Sequence, residues 1–528
     1  MFDKLKMRSR YIFGLRRFLK QRLSPEQCRR MIAEQLHNRG EMFLRILKQG
    51  IYENSRSPYR KLLLHAGMEL GDVARLVRKD GIEAALQQLY QEGVFVSHDE
   101  FKCRRPIQRG SLTFSVRSHD FDNPLLAQDY EARTGGSRGI GTRVIIDFDV
   151  MLYDAAYHDL LEASFGISGQ PLALWRPLPP AASGIYRALR IAKLGKRIDK
   201  WFTPNTFSPT LTGAGHFLFV VFTIYGCRLF GGPMPFPEYA PLDNGLVVLR
   251  WLMEKRAAGQ PGVVFTQTTS AVRLCREALE KNLDISGSSF FVGGEPYTSA
   301  KAKILTQAGC RGIAYYSMTE LGDVAQPCAD AQALDDFHFL EDKLAVIQRT
   351  KPIGESGLTV GAFFFTTLLP SSPKLLLNVD SGDYGKLERR DCRCLLGQLG
   401  LYTHMSEIRS YDKLTSEGMT FLGSDLIRLT EDLLPEKFGG YPTDYQFVEV
   451  EIEGIPNVLV RVSPRIGAID EAALIDTIMD ALATRSAAHK MMADRWREAR
   501  TLRVLRAEPV VTMVGKTLPL HILNRTKQ

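Results

Sequence analysis

The segment Thr134-Gly135-Gly136-Ser137-Arg138-Gly139-Ile140-Gly141-Thr142-Arg143 constrains this fold more than any other part of the sequence. Small residues let a backbone wrap closely round phosphate oxygens. The hydroxyls of Thr134 and Ser137 and the cation of Arg138 can add to the amide donors. What flanks such a loop limits which fold can hold it. A dinucleotide-binding loop follows a buried strand and opens a helix. Here the preceding residues, Gln128-Asp129-Tyr130-Glu131-Ala132-Arg133, are polar, and Arg143–Asp147 reads as a strand. The expectation is a strand–loop–strand phosphate clamp, with an ordinary glycine-rich turn as the plainer alternative.

A chain of 528 residues is longer than one hydrophobic core supports, so two or more domains are expected. Residues 1–95 alternate basic and apolar positions at helical spacing and read as several helices. From 110 to about 405 short β-branched runs alternate with amphipathic stretches. Val144-Ile145-Ile146 and Val263-Val264-Phe265 read as strands, and Asn244–Ala257 and Ala271–Lys281 as helices. Met405–Tyr411 reads as a linker. Strands at Phe447–Ile452 and Val458–Val462 follow, then helices at Asp470–Ala483 and Ala487–Ala499 and a tail over Val510–Leu520. The fold class is α/β: a large multi-sheet N-terminal domain and a small, mobile α+β C-terminal domain. The boundaries are 1–94 for a helical segment of the large domain, 95–408 for its core, and 409–528 for the small domain.

The net charge is +9, and most of it sits at one end. Met1–Arg30 holds ten Lys/Arg against Asp3 and Glu26. A solvated amphipathic helix accounts for this, and an acidic carrier protein or anionic lipid is the alternative partner. Nucleic acid is not expected, because no aromatic interleaving or recognition module accompanies the charge. The N-terminus lacks the apolar run of a secretory signal. Phe217–Phe230, the longest apolar stretch, is interrupted by Thr223, Tyr225, Gly226 and Arg228. It is too short to span a bilayer, so a buried element and a chain without a transmembrane span are expected. Eight cysteines in this length do not form a disulfide scaffold, which suggests the reducing cytoplasm.

Two enzyme families compete for the glycine-rich loop. Thr134–Gly141 fits the TGxxxGxG pattern of short-chain dehydrogenases, and Tyr297-Thr298-Ser299-Ala300-Lys301 fits their YxxxK pair. The flanks of the loop, and the roughly 130 residues before it, count against that reading. Thr134-Gly135-Gly136-Ser137-Arg138-Gly139 resembles instead the signature loop of the adenylate-forming superfamily, with Gly135 and Arg138 where hydroxyl residues are usual. Five further segments stand in that family's order. Phe291-Val292-Gly293-Gly294-Glu295-Pro296 resembles the turn against adenine. Tyr315-Tyr316-Ser317-Met318-Thr319-Glu320 resembles the aromatic–x–x–Thr–Glu motif. Ser381-Gly382-Asp383 resembles the ribose motif, Ile408–Leu414 the hinge, and Gly515-Lys516 the terminal lysine.

The resemblance implies roles. Tyr316 would stack on adenine, Thr319 would bind the α-phosphate and Glu320 would hold Mg²⁺. Asp383 would accept both ribose hydroxyls, Arg409 would contact ribose or phosphate, and the small domain would pivot near Tyr411–Asp412. Lys516 would bridge carboxylate and α-phosphate. The implied reaction uses ATP to convert a carboxylic acid to an acyl-adenylate and then transfers it to a thiol, most simply CoA. A carrier-protein thiol or an amine is the alternative acceptor. Gly93-Val94-Phe95-Val96, Asp444-Tyr445-Gln446 and the Cys392/Cys394 pair favour the phenylacetate–CoA ligase-like branch.

Cys392-Arg393-Cys394, with Cys328 and His338, offers four ligands of the kind that hold tetrahedral zinc in a closed, structural site. Four ordinary core residues are the alternative. Cys28, Cys103, Cys227, Cys275 and Cys310 form no pattern and are read as structural. Leu211–Pro237 is rich in Phe, Leu and Gly and is expected to line the acyl pocket, with His216 and Phe217 as candidates. A homodimer is compatible with the sequence.

Overall fold

The computed structural model describes residue 11 and residues 13–126, 130–133, 143–146, 148–207, 210–318, 320–353, 358–411, 415–416, 419–420, 423–452, 455–484, 490, 493, 497, 502–512 and 515–522. A twelve-stranded sheet forms the large body. Six of its strands are parallel and lie in the order Pro237–Tyr239, Lys200–Thr203, Leu172–Trp175, Val263–Gln267, Ser289–Gly293 and Arg311–Met318. Val263–Gln267 and Ser289–Gly293 are buried at every position, as strands covered on both faces must be. This is why they read as unbroken apolar runs. Helices Thr268–Glu280 and Ser299–Gln307 pack on this half.

The other half is antiparallel: Gly322–Pro327, Phe337–Phe339, Thr403–Ser410, Val379–Arg389, Leu358–Thr367 and Leu344–Ile353. The strand Arg311–Met318 belongs to both halves. Its first residues pair with Ser289–Gly293 and its last with Gly322–Pro327. Tyr315 and Tyr316 therefore stand where the sheet changes from parallel to antiparallel.

The described residues before 95 are mainly helical and part of the same body. The helix Pro25–His37 starts at Ser24, whose hydroxyl accepts from the Gln27 amide while the Gln27 side chain accepts from the Ser24 amide. That reciprocal cap, with Pro25 in the first turn, fixes the start of the helix. Leu63, Leu86 and Leu89 are fully buried in the core that also holds Val96 and Phe364. Each such side chain contributes about 1.5–3 kcal/mol relative to exposure.

The small C-terminal unit has a four-stranded sheet in the order Leu502–Arg506, Ile455–Val462, Tyr445–Ile452 and Leu520–Ile522. Helix Glu471–Ala483, capped by Asp470, packs on it, and Leu474, Ile478, Val460 and Phe447 form a separate core. The expected helix over 487–499 lies mostly outside the described residues, among which 490, 493 and 497 are helical.

Two expectations are corrected. Met405–Tyr411 is not a linker: Thr403–Ser410 is a strand paired with Val379–Arg389. Only His404 and Met405 are buried and Glu407 is exposed, so no regular alternation marks the strand in the sequence. Phe217–Phe230 is not simply a buried element. It lies in a 20-residue helix, Leu211–Phe230, long and apolar enough by length and composition to cross a membrane, yet only 28% of the window Gly213–Phe230 is buried. The strand–loop–strand expectation is met at its flanks, against the dehydrogenase reading. Tyr130–Arg133 and Arg143–Ile146 pair antiparallel, with Arg133 opposite Arg143, so paired strands stand on both sides of residues 134–142.

Candidate active site

The centre of the site is the end of strand Ser289–Gly293. Gly293 sits opposite Tyr315 in the parallel register, and a Cβ there would stand 2.8 Å from the Tyr315 ring, so the position excludes a side chain. Gly294 then turns the chain with φ +81°, and a Cβ on it would meet Lys516 Nζ at 2.9 Å. Beneath the turn, the Gln267 amide nitrogen donates to the Gly293 carbonyl at 2.6 Å and its oxygen accepts from Arg176 at 2.9 Å. Arg176 also donates to the Tyr315 hydroxyl and the Thr266 carbonyl, both at 2.6 Å. The floor of the site is thus a fixed lattice of buried polar groups. Glu295 follows, accepting from the Thr269 hydroxyl, and burial pushes its carboxyl above the usual range although Lys301, Thr269 and Lys516 oppose it. Pro296 gives its carbonyl to Lys301 at 3.1 Å.

Tyr316 points the other way from Tyr315, as successive residues of a strand do. Its hydroxyl donates to Asp383 Oδ2 at 2.6 Å. Asp383 lies in the strand Val379–Arg389, directly opposite Ser410, and Tyr384 is opposite Arg409. The structure therefore brings three separated segments, around residues 316, 383 and 409, to one place. Arg409 is paired with Asp335 at 3.1 Å. Tyr411, at the expected pivot, is buried; it bonds Asp380 through its hydroxyl and Gly382 through its amide, and Lys351 bridges to both Asp380 and Tyr411. Asp412 lies outside the described residues.

Glu320 stands at the tip of the hairpin between Arg311–Met318 and Gly322–Pro327, with its side chain 7% exposed. Lys102 donates to it at 2.9 Å. Burial pushes the Glu320 carboxyl up, but the Lys102 ammonium, a backbone hydrogen bond and the Lys374 charge together hold it below its usual value. Glu320 is thus an anion, with the charge and hardness that suit Mg²⁺. Deeper in, Arg190 and Lys343 pair with Asp154, and Arg190 also pairs with Asp323 at 2.7 Å, tying the hairpin to helices Phe148–Ser164 and Ser183–Lys193. Thr319 and the loop residues Thr134, Gly135, Gly136, Ser137, Arg138 and Gly139 lie outside the described residues.

Lys516 reaches this centre from the small unit. Gly515 has φ +89° and packs so closely on Leu242 and Ser270 that a Cβ would meet them at 3.1 and 3.2 Å. Lys516 returns its carbonyl to Thr512 N at 2.9 Å, closing a tight loop. Gln446, fully buried, donates to the carbonyls of Val510 and Leu518 and accepts from the Val510 amide, so one side chain clamps both stems of that loop. The small unit is docked by Arg276–Asp444 at 2.6 Å, Lys301–Glu431 at 2.7 Å and Arg273–Thr517 at 3.2 Å. Lys301 is therefore an interdomain ion-pair partner and Tyr297 is buried against Gly312, which is not the exposed catalytic pair of a dehydrogenase.

Cys328, His338, Cys392 and Cys394 converge, with their ligand atoms all within 4.8 Å of one another. Cys328 and Cys392 sulfurs are 3.4 Å apart, and His338 Nε2 is 3.0 Å from Cys394 Sγ. His338 Nδ1 faces the Leu401 carbonyl at 2.8 Å, which favours the tautomer that leaves Nε2 free to ligate. The Cys328 hydrogen bond lowers the Cys394 thiol pKa, burial opposes it and His338 assists it. A sulfur of lowered pKa together with an imidazole nitrogen and two further thiols is a ligand set that suits zinc. The cluster ends the strands that begin near Glu320 and pass through Asp383.

His216 and Phe217 lie on the first turns of helix Leu211–Phe230. His216 is half-buried, and burial lowers its pKa. Phe217 is 49% exposed with its ring edge-on to Phe207. The sequence reading missed Lys102, Arg176 and Gln267, and it named Gln446 only within Asp444-Tyr445-Gln446, without a role. The first three sit in no recognisable motif and are identified by their contacts alone.

No family profile and no curated protein sequence matches the chain. Among solved structures, 2-hydroxyisobutyryl-CoA ligase in its postadenylation state, in complex with R3-HIB-AMP, aligns over 96% of this chain and 92% of its own, with TM-score 0.50 and 15% identity. The same ligase in complex with 2-HIB-AMP gives TM-score 0.50 and 14% identity over the same shares. The amide bond synthetase McbA from Marinactinospora thermotolerans aligns over 96% of this chain and 98% of its own, with TM-score 0.42 and 13% identity. At these identities the likeness is one of fold.

Proposed function

On the premise that this chain has the fold of the adenylate-forming enzymes, we propose that it activates a carboxylic acid with ATP and passes the acyl group to the thiol of CoA, as a phenylacetate–CoA ligase-like enzyme. The observation that carries the reading is the position of Lys516 against Gly294, on a site that also joins Tyr316 to Asp383. In the first step a carboxylate oxygen bonds to the α-phosphorus and the bond from that phosphorus to its β-bridging oxygen breaks, releasing pyrophosphate. Lys516 offsets the charge that gathers between carboxylate and α-phosphate. Glu320 would hold Mg²⁺, which would neutralise phosphate charge. Tyr316 and Asp383 bind the nucleoside, and the glycine-rich loop supplies amides to the outer phosphates. In the second step the thiolate attacks the acyl carbon and AMP leaves. No protein nucleophile is needed, because position and electrostatics suffice for in-line displacement.

We assign a structural zinc to Cys328, His338, Cys392 and Cys394; its closed shell would hold the Glu320 and Asp383 strands in register. The experiment that tests the function is pyrophosphate release from ATP and Mg²⁺ with a panel of aryl, fatty and amino acids and hydroxylamine as acceptor. Release that depends on one class of acid is expected. Tight ATP binding with no release from any class overturns the reading.

A further inference from the structure

The helix Leu211–Phe230, whose His216 and Phe217 are the acyl-pocket candidates, carries further along an exposed apolar stripe to which the proposed reaction assigns no role. Leu218, Phe222, Tyr225 and Leu229 are 51%, 63%, 57% and 77% exposed. Spaced at i, i+4, i+7 and i+11, they form one line along the helix. The opposite side is anchored: Val220, Ile224 and Cys227 are at most 1% exposed and belong to the core of the large body. The helix is therefore fixed by one side and presents a convex apolar ridge on the other, about 16 Å long at 1.5 Å per residue. At the C-terminal end of the ridge, the Arg228 guanidinium lies over the Phe236 ring at 4.9 Å.

A basic helix runs beside this ridge. Residues 13–20 are helical. Tyr11 bonds Thr223 Oγ1 at 3.0 Å and packs its ring 4.9 Å from Phe219, and Leu15 lies so close to Gly226 that a Cβ there would meet it at 2.8 Å. Phe219, Thr223 and Gly226 occupy the flank of the long helix about 100° round from the stripe. The basic helix is held there by Lys193, which donates to the Phe18 and Gln21 carbonyls, both at 2.5 Å. Its other side shows Phe13, 72% exposed, with exposed Arg16, Arg17 and Lys20. These are part of the segment 1–30 that carries ten cations and two anions.

We propose that this face, the stripe Leu218–Phe222–Tyr225–Leu229 with the adjoining basic helix, docks on the surface of an anionic phospholipid bilayer. A bilayer interface supplies both things the face lacks: an apolar layer for the ridge and phosphate charge for Arg16, Arg17 and Lys20. A ridge without a groove suits a fluid phase better than a shaped protein partner. A second copy would bring two clusters of like charge together.

The test is flotation of the full-length protein with vesicles of phosphatidylcholine mixed with phosphatidylglycerol, against phosphatidylcholine alone. The protein is expected to float with the mixed vesicles only, and to be released as salt is raised. Leu218→Ser/Phe222→Ser/Leu229→Ser and, separately, Arg16→Glu/Arg17→Glu/Lys20→Glu are each expected to lower the partition coefficient roughly tenfold or more. An unchanged melting temperature and near-ultraviolet circular dichroism spectrum for the charge variant shows that its loss of binding is not unfolding. Failure of the wild type to float with anionic vesicles overturns the proposal, and so does undiminished flotation of both folded variants. A lipid-free dimer that the stripe substitutions convert to a monomer, with vesicle binding unaffected, also overturns it and makes the face a contact between copies.

Discussion

Tyr316 donates its hydroxyl hydrogen to Asp383 Oδ2 at 2.6 Å, although 67 residues separate them in the chain. Burial first, and then the Asp383 carboxylate, push the phenol well above its ordinary pKa, so it is a donor across the working pH range. In the proposed reading this bond fixes the ring for adenine and aims the carboxylate at the ribose. Tyr316→Phe keeps the ring and removes the bond. The KM for ATP in acid-dependent pyrophosphate release is expected to rise about 3–10-fold, the equivalent of one ordinary hydrogen bond, with kcat little changed. An unaltered KM would remove the bond from nucleotide binding.

Lys516 acts on charge that exists only as the α-phosphorus is attacked. Lys516→Ala is expected to lower the adenylation rate by about 10²–10³-fold, the scale of losing one preorganised electrostatic donor. ATP binding, followed by equilibrium titration, should be nearly preserved, because Tyr316 and Asp383 are untouched. Loss of binding in step with rate would mean that Lys516 holds the ground state.

The parallel strands were legible because two covered faces demand continuous apolar runs, as in Val263–Gln267. Tyr316, Asp383 and Lys516 were legible as motifs whose order carries meaning. What lay outside reach depended on long-range contact. Lys102 and Glu320 meet across 218 residues, and the segment holding Gln446 was noted without the contacts by which it clamps 510 and 518; a single lysine or glutamine has no periodic signature. The strand Thr403–Ser410 was hidden because its burial follows no two-residue period, with His404 and Met405 buried side by side. The exposed stripe of Leu211–Phe230 was hidden because composition counts apolar residues without saying which face the fold covers.

The Cys328–His338–Cys392–Cys394 quartet predicts a metal content of one zinc per chain by elemental analysis. Strong chelation, or Cys394→Ala, is expected to lower the melting temperature, because the released thiols and imidazole are buried around a vacated centre. A metal-free protein with an unaltered melting temperature would reduce the quartet to packing.

Asp342 gives a pH signature. It is fully buried, and Tyr157 donates to it at 2.5 Å. Burial raises its pKa from 3.8 to about 6, against the pull of Tyr157 and Lys343. The folded state therefore holds this proton more tightly than the unfolded chain does. Its contribution is fully present below the unfolded pKa and is lost as pH rises through about 6, costing about 3 kcal/mol at higher pH. Asp342→Asn keeps an acceptor for Tyr157 and cannot ionise. Its melting temperature is expected to exceed that of the wild type near about pH 8, with the gap closing toward about pH 4. A gap independent of pH would mean that Asp342 is not the titrating group.

Lys102 and Glu320 make the last case, because one ammonium occupies the carboxylate that Mg²⁺ would need. Glu320 is 7% and Lys102 31% exposed, so the pair is neither fully buried nor freely solvated. Lys102→Met leaves an uncompensated carboxylate and should cost on the order of 1–3 kcal/mol of stability without divalent cation, discounted from the fully buried case for solvent screening. The same change removes the competitor. Mg²⁺ should then restore the melting temperature more strongly than in the wild type, and the Mg²⁺ concentration for half-maximal pyrophosphate release should fall. Lys102→Arg, which keeps the charge, should retain the wild-type Mg²⁺ requirement. If Lys102→Met loses stability but Mg²⁺ neither restores it nor acts at lower concentration, Glu320 is a structural partner of Lys102 and the metal binds elsewhere.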